Sequence, residues 1–150
     1  MAGSAITITS NAVDVSRELK VIADRFGNAL PAMQIIGRRV LSSVIENFQA
    51  GGRPTGWQPL TPVTLAKKKG GSILVGKGFG GGLLGSIHSE PEPSAVMIGT
   101  DKVYAAIHQF GGQAGRGHTV TIPARPYLMV QDQDWAEIKD DLAGFILKGK

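Results

Sequence analysis

Gly71-Ser72-Ile73-Leu74-Val75-Gly76-Lys77-Gly78 nearly matches a phosphate-binding loop, in which backbone amides and a lysine hold phosphate oxygens while a Ser or Thr hydroxyl holds magnesium. Gly78 stands where that hydroxyl is needed, and Ile73 to Val75 reads as strand. No helix of useful length follows to aim its N-terminal dipole at an anion. Gly76, Gly78 and Gly81 satisfy the letters of a dinucleotide turn, but such a turn needs a strand-turn-helix unit and an acid about 20 residues onward. A glycine run meets such patterns by accident, and flexibility is the better reading. His88, His108 and His118 could supply imidazole ligands, yet their spacing gives no helical pair and no carboxylate partner, so structural roles are favoured. Ser42, Ser43, Ser72, Ser86 and Ser89 sit in no nucleophile elbow, and no two carboxylates share a rigid face. The expectation is no catalysis, no cofactor and no metal.

The cations are the other chemically suggestive set. Lys67-Lys68-Lys69, with Lys77, Arg116 and Arg125, could neutralise phosphates and give salt-sensitive affinity. Aromatic residues make up only 6% of the chain, and none interleaves the lysines, so incidental contact with nucleic acid is favoured over reading of its sequence. The net charge of +4 is unevenly spread. Residues 1–49 carry five basic and four acidic groups, 50–130 carry eight and three, and 131–150 carry three and five. A basic middle and an acidic tail suit head-to-tail contact between copies or a nucleic-acid-facing surface, although most surface charge only solvates a fold. Trp57 is the best single anchor candidate for an interface; the competing reading is that it pins its loop to the chain's own core.

These residues need elements to hold them. Tyr104, Ile107 and His108 fall on one side of a short helix, and Gly111-Gly112 can adopt the positive backbone angles that end it. Thr119 to Ile122 then alternates like a half-buried strand, which Pro123 and Pro126 stop by removing ladder donors. Upstream, Ile6 to Thr9 suggests a short strand, and Ser10 or Asn11 a helix cap. Val15, Leu19, Ile22 and Phe26 make one apolar stripe of an amphipathic helix ended by Gly27-Asn28. A second helix runs from Pro31 to about Gln49, with an apolar face broad enough to be buried on more than one side, against a sheet and a neighbouring subunit. Residues 51–85 form a long Gly/Pro-rich loop with a helical turn at Thr61 to Lys69; eight glycines fall within residues 70–85. Leu83 to Glu90 and Ala95 to Thr100 read as two strands joined through Pro91 to Ser94, and Tyr127 to Val130 as further strand. Trp135, Ile138, Leu142 and Phe145 form the stripe of a C-terminal helix with Asp132 as its cap. The sum is an α+β fold: two N-terminal helices, a small, mainly antiparallel sheet of about four strands, the long loop and a C-terminal helix.

A chain of 150 residues with 42% hydrophobic and 19% charged residues suits a single globular domain. No apolar run reaches the ~20 residues a membrane helix needs, and the first residues lack a secretory pattern, so a soluble protein made in the cytoplasm is expected. Without cysteine there are no disulfides and no thiolate metal sites.

Several blocks in order resemble the phage virion morphogenesis or tail-completion proteins of the phage Mu type. They are Phe48-Gln49-Ala50-Gly51-Gly52-Arg53-Pro54 with Trp57-Gln58-Pro59-Leu60, Thr64 and Lys67; Ile73-Leu74 with Leu84-Gly85-Ser86-Ile87; Val96-Met97-Ile98-Gly99-Thr100; Tyr104-Ala105 with His108-Gln109-Phe110-Gly111; and Ile122-Pro123-Ala124-Arg125-Pro126-Tyr127-Leu128. The series spans about residues 30–147, and it departs from the family where a compact turn after the Ile-Leu pair is replaced here by the longer run Gly76 to Gly82. The resemblance implies a non-enzymatic structural protein that completes the tail or joins it to the head as a ring at the neck, with about six copies in a closed heterologous ring. Implied partners are other copies of the chain, the tail tube and the head-tail connector, with non-specific contact to phage DNA and none to membrane. The implied location is the neck or tail of the virion, after assembly in the host cytoplasm. Contact candidates are Trp57, Leu60, Lys67, Lys77, Phe79, Tyr104, His108, Phe110, Arg125 and Tyr127. The competing function is a basic nucleic-acid-binding accessory protein of DNA packaging.

Overall fold

The computed structural model describes residues 12–68, 72–76 and 82–149. The Ile6 to Thr9 strand, the Ser10 or Asn11 cap, Lys77, Phe79 and parts of both glycine-loop patterns lie outside the described residues.

The helices form where the apolar periodicity places them. α1 spans Ala12–Gly27 and α2 spans Leu30–Ala50, with Pro31 in the first turn of α2, where its missing N–H costs nothing. Gly51 ends α2 with φ 69°, and the Gly52 amide donates to the Asn47 carbonyl at 2.9 Å, a six-to-one closure of the Schellman type. α3, Pro62–Lys67, is a single turn and a half capped by the Thr61 hydroxyl, which accepts from the Thr64 amide. α4 spans Ala105–Phe110 and is broken at Gly111, φ 73°. A side chain at Gly111 would come within 2.8 Å of the Ala124 amide nitrogen, so glycine also permits a close approach of two backbone segments. α5 spans Asp132–Lys148. Its cap is Gln131, not Asp132: the Gln131 amide donates to Asp134 at 2.6 Å in a reciprocal capping box.

Among the described residues four strands form, arranged as two separate antiparallel pairs. β1, His88–Pro91, pairs with β2, Val96–Gly99, in the register His88 to Gly99, and the Glu92 amide closes the turn on the Ala95 carbonyl at 2.7 Å. β3, Gly112–Ala114, pairs with β4, Val120–Ile122. Two expectations are corrected. Leu84–Ser86 is a 3-10 turn, so the first strand starts at His88 rather than Leu83. Tyr127 to Val130 is not a strand, because its polar backbone is taken by side chains. Gln109 Oε1 accepts from the amides of Tyr127 and Leu128, each at 3.0 Å, Gln109 Nε2 donates to the Leu128 carbonyl, and Asn47 Nδ2 donates to the Tyr127 carbonyl. Two amides thus replace a neighbouring strand and satisfy groups that burial would otherwise leave costly.

α2 is the axis of the molecule. One side packs on α5 and the other on the β1–β2 hairpin, which meets the expectation of burial on more than one side. Gly37 is buried at the hairpin contact, where any side chain would collide with Ser89 and Val96. The core gathers Val40, Val44 and Phe48 of α2 with Trp57, Leu83, Ile87, Ala105, Tyr127 and Ile138. Phe48 lies edge-on to Trp57 and tilted against Tyr127, both at 5.5 Å between ring centres, geometry that favours aromatic pairs. Trp135 departs from its predicted stripe: it is 51% exposed, while Ile138 is buried and Leu142 packs against the core.

Candidate assembly surface

Leu60, Tyr104, His108 and Arg125 come from three separate stretches of sequence and line one cavity of about 260 Å³ with Thr64, Lys68, Leu74 and Leu83. α4 presents Tyr104 and His108 one turn apart, their rings in an edge-to-face contact at 5.9 Å. Behind them the Arg125 amide donates to the His108 carbonyl at 2.7 Å, which fixes the Pro123–Pro126 segment against α4. The Arg125 side chain is only 5% exposed. Its Nε and Nη2 donate to the Gln58 carbonyl at 3.2 and 3.0 Å, tying the long loop to this wall.

The electrostatics of this cavity are one-sided. Burial lowers the Arg125 pKa, and burial followed by the Arg125 charge lowers those of Lys68 and His108. Lys68 Nζ donates to the Ser72 carbonyl at 2.5 Å. His108 Nδ1 is buried without a hydrogen-bond partner, an uncommon condition for a polar atom. No carboxylate pairs with Arg125 or Lys68 among the described residues.

Among the described residues, the remaining contact candidates do not join the cavity. Trp57 and Tyr127 are core residues, 8% and 2% exposed. The Trp57 indole donates to the Pro126 carbonyl at 3.1 Å and the Tyr127 hydroxyl to the Ala105 carbonyl at 3.4 Å, so Trp57 pins its loop to its own core. Lys67 is exposed at the end of α3, and Phe110 is 79% exposed at the end of α4. Val103 is 98% exposed. Leu19 and Phe26 of the α1 stripe are also exposed, so much of that stripe is uncovered by the described residues.

Sequence reasoning missed a polar hub between α2, the loop and α5. Ser43 and Asp134 are buried and hydrogen-bonded to each other. Arg53 donates to the Ser43 carbonyl and hydroxyl and to Glu46, and Gln131 donates to the Arg53 carbonyl. Beside it, Arg39 of α2 reaches Asp141 at 2.7 Å and Glu137 at 2.9 Å. The signal for the clasp was present in the one-turn spacing of Glu137 and Asp141; Ser43 and Asp134 are ninety-one residues apart, and nothing local links them.

Among the described residues no group of three or more His, Asp or Glu could hold a metal ion, and no helix is long and apolar enough to cross a membrane. The chain is similar to the Mu-like prophage FluMu G protein 2 of Haemophilus influenzae, 39% identical over 91% of each chain. It is also similar to the putative capsid assembly protein G of Escherichia phage Mu, 32% identical over 86% of this chain and 88% of the other. No solved structure matches it. The model of the phage virion morphogenesis family matches residues 11–146, which takes in the described helices, both hairpins and the cavity wall, and the chain belongs to that family.

Proposed function

We propose that the chain is a structural assembly protein that completes the phage tail, or joins it to the head, as a ring at the neck, and that it catalyses no reaction. The observation that carries this reading is the family match over nearly the whole chain. Large apolar side chains left on so small a surface support it: Val103, Phe110, Phe26 and Leu19 are each at least 60% exposed. Apolar side chains of this size become an interaction surface where assembly brings them together. In a closed ring one face of each subunit meets a different face of the next, and the free edges of two short hairpins are suited to strand addition between neighbours. The partners on this reading are further copies of the chain, about six to a ring, then the tail tube and the head-tail connector. DNA passing through the ring would meet the basic residues without sequence preference.

The test is removal of the gene from a phage or prophage that carries it, with particles examined by electron microscopy and wild-type complementation as control. Complete heads with unjoined tails or tails of irregular length are expected, and a label on the complementing chain should mark the neck. Infectious particles of normal form in its absence would sink the proposal. Steeply salt-dependent DNA binding by the isolated chain, with no oligomer at any concentration, would favour the packaging accessory instead.

A further inference from the structure

The cavity beneath α4 holds more positive charge than the described residues around it neutralise. A guanidinium taken out of water is costly unless paired with an anion, and Arg125 is nearly fully buried with the Gln58 carbonyl as its one side-chain acceptor among the described residues. Lys68 stands on the same cavity, close enough for the two charges to oppose each other. The stretch from Lys67 to Ser89, which supplies most of one wall, contains no Asp or Glu. The acid that would complete the site therefore comes from elsewhere.

Six of the twelve acids of the chain are already engaged. Glu46 pairs with Arg53, Glu137 and Asp141 with Arg39, Glu90 lies beside His88 and Asp101 beside Lys102, and Asp134 is buried in the hub. On α5, Asp132 and Asp140 are exposed and have no ion-pair partner among the described residues. By helical spacing Asp132 lies on the side of Trp135 and Asp140 on that of Leu147, two apolar residues that are 51% and 67% exposed. Each pairing offers a carboxylate beside an apolar side chain. The cavity offers cations flanked by Leu60, Leu74 and Tyr104.

We propose that the Arg125–Lys68 pocket receives a carboxylate from the outward face of α5 in a second copy of the chain, Asp140 or Asp132, making this the heterologous contact between neighbouring subunits. The inference rests on the ring-forming reading and gives it a specific joint. Charge complementarity sets the direction, pocket to α5, which is what a contact between unlike faces requires.

The chain has no cysteine, so a cross-link can be placed without background. Full-length chains carrying Lys68→Cys are mixed with chains carrying Asp140→Cys or Asp132→Cys and oxidised mildly, at high concentration in solution and within purified particles. A covalent heterodimer is expected at least about fivefold above a control with Glu92→Cys. Lys68→Glu should weaken self-association, read by sedimentation, at least about tenfold, with its thermal unfolding confirming an intact fold, and adding Asp140→Lys or Asp132→Lys should restore it. A folded Lys68→Glu chain that associates as before overturns the joint while leaving the ring intact. So does a loss that neither acid swap restores, or the absence of the heterodimer both in solution and in particles. Loss of DNA retention with unchanged association assigns the cations to phosphates and overturns the joint as well. A wild-type chain that stays monomeric and is absent from particles refutes the ring itself.

Discussion

The α2–α5 face and the pocket beneath α4 treat charge in opposite ways. On the first, Arg39 meets two carboxylates, Arg53 meets Glu46 and the Ser43 oxygens, and Asp134 meets a hydroxyl and a backbone amide. On the second, among the described residues, Arg125 has one carbonyl, Lys68 has another, and His108 Nδ1 has nothing. Both regions pack on one aromatic core, so general packing does not explain the difference. One face is closed within the monomer; the other has donors to spare.

Trp57 joins the two regions, edge-on to Phe48 of α2 and hydrogen-bonded to the Pro126 carbonyl beside Arg125. Trp57→Ala should therefore cause the largest loss, about 4 kcal/mol of unfolding free energy, measured by urea titration. It should also release the loop from the pocket wall, seen as faster proteolysis between residues 51 and 60. A loss below about 1 kcal/mol would mean that the two regions are not coupled through this ring.

Next in size is Asp134→Ala, expected to cost about 2–3 kcal/mol because it strips acceptors from the buried Ser43 hydroxyl and the Gln131 amide at once. Asp134→Asn keeps a side-chain acceptor and should cost less. If the two variants were equally destabilised, the carboxylate charge rather than its hydrogen bonds would be what closes this face. Arg39→Ala, on a clasp whose side chains are 35–40% exposed, should cost about 1 kcal/mol or less and shrink with added salt.

How much of this was legible beforehand follows from the range of the forces involved. α2 and α5 were readable because their apolar spacing is local, and α4 because Tyr104, Ile107, His108 and the glycine pair fit one turn and its end. The partition into two hairpins was not, since strands of three or four residues carry little periodicity. The Tyr127 segment misled because an extended run with β-prone residues can have its ladder supplied by Gln109 and Asn47, and an amide side chain leaves no periodic trace. The stripe of α5 was read correctly at Ile138 and wrongly at Trp135, where the packing of α2 chose a slightly rotated face and buried Asp134. As for the candidate surface, the blocks containing Tyr104, His108 and Arg125 were each visible. That they converge, and that no acid among the described residues meets them, depends on tertiary placement.

The smallest effect is also the one that separates the two faces by pH. Burial, then Arg125, holds the His108 pKa below its ordinary value of 6.5, and the charged groups facing it across the cavity, Arg125 and Lys68, are both cations. Above about pH 6.5 the imidazole is neutral in folded and unfolded chains alike, and its contribution to stability is complete. As pH falls below that value the unfolded chain takes up the proton first, so stability declines down to the lowered folded pKa. His108→Gln removes this dependence. The stability of wild type relative to the variant should therefore fall as pH drops below about 6.5, measured by chemical denaturation at each pH. Parallel curves would show that His108 does not feel its neighbours. A carboxylate docked beside Arg125 would offset part of the repulsion, so the same decline should be shallower in the assembled ring than in the monomer.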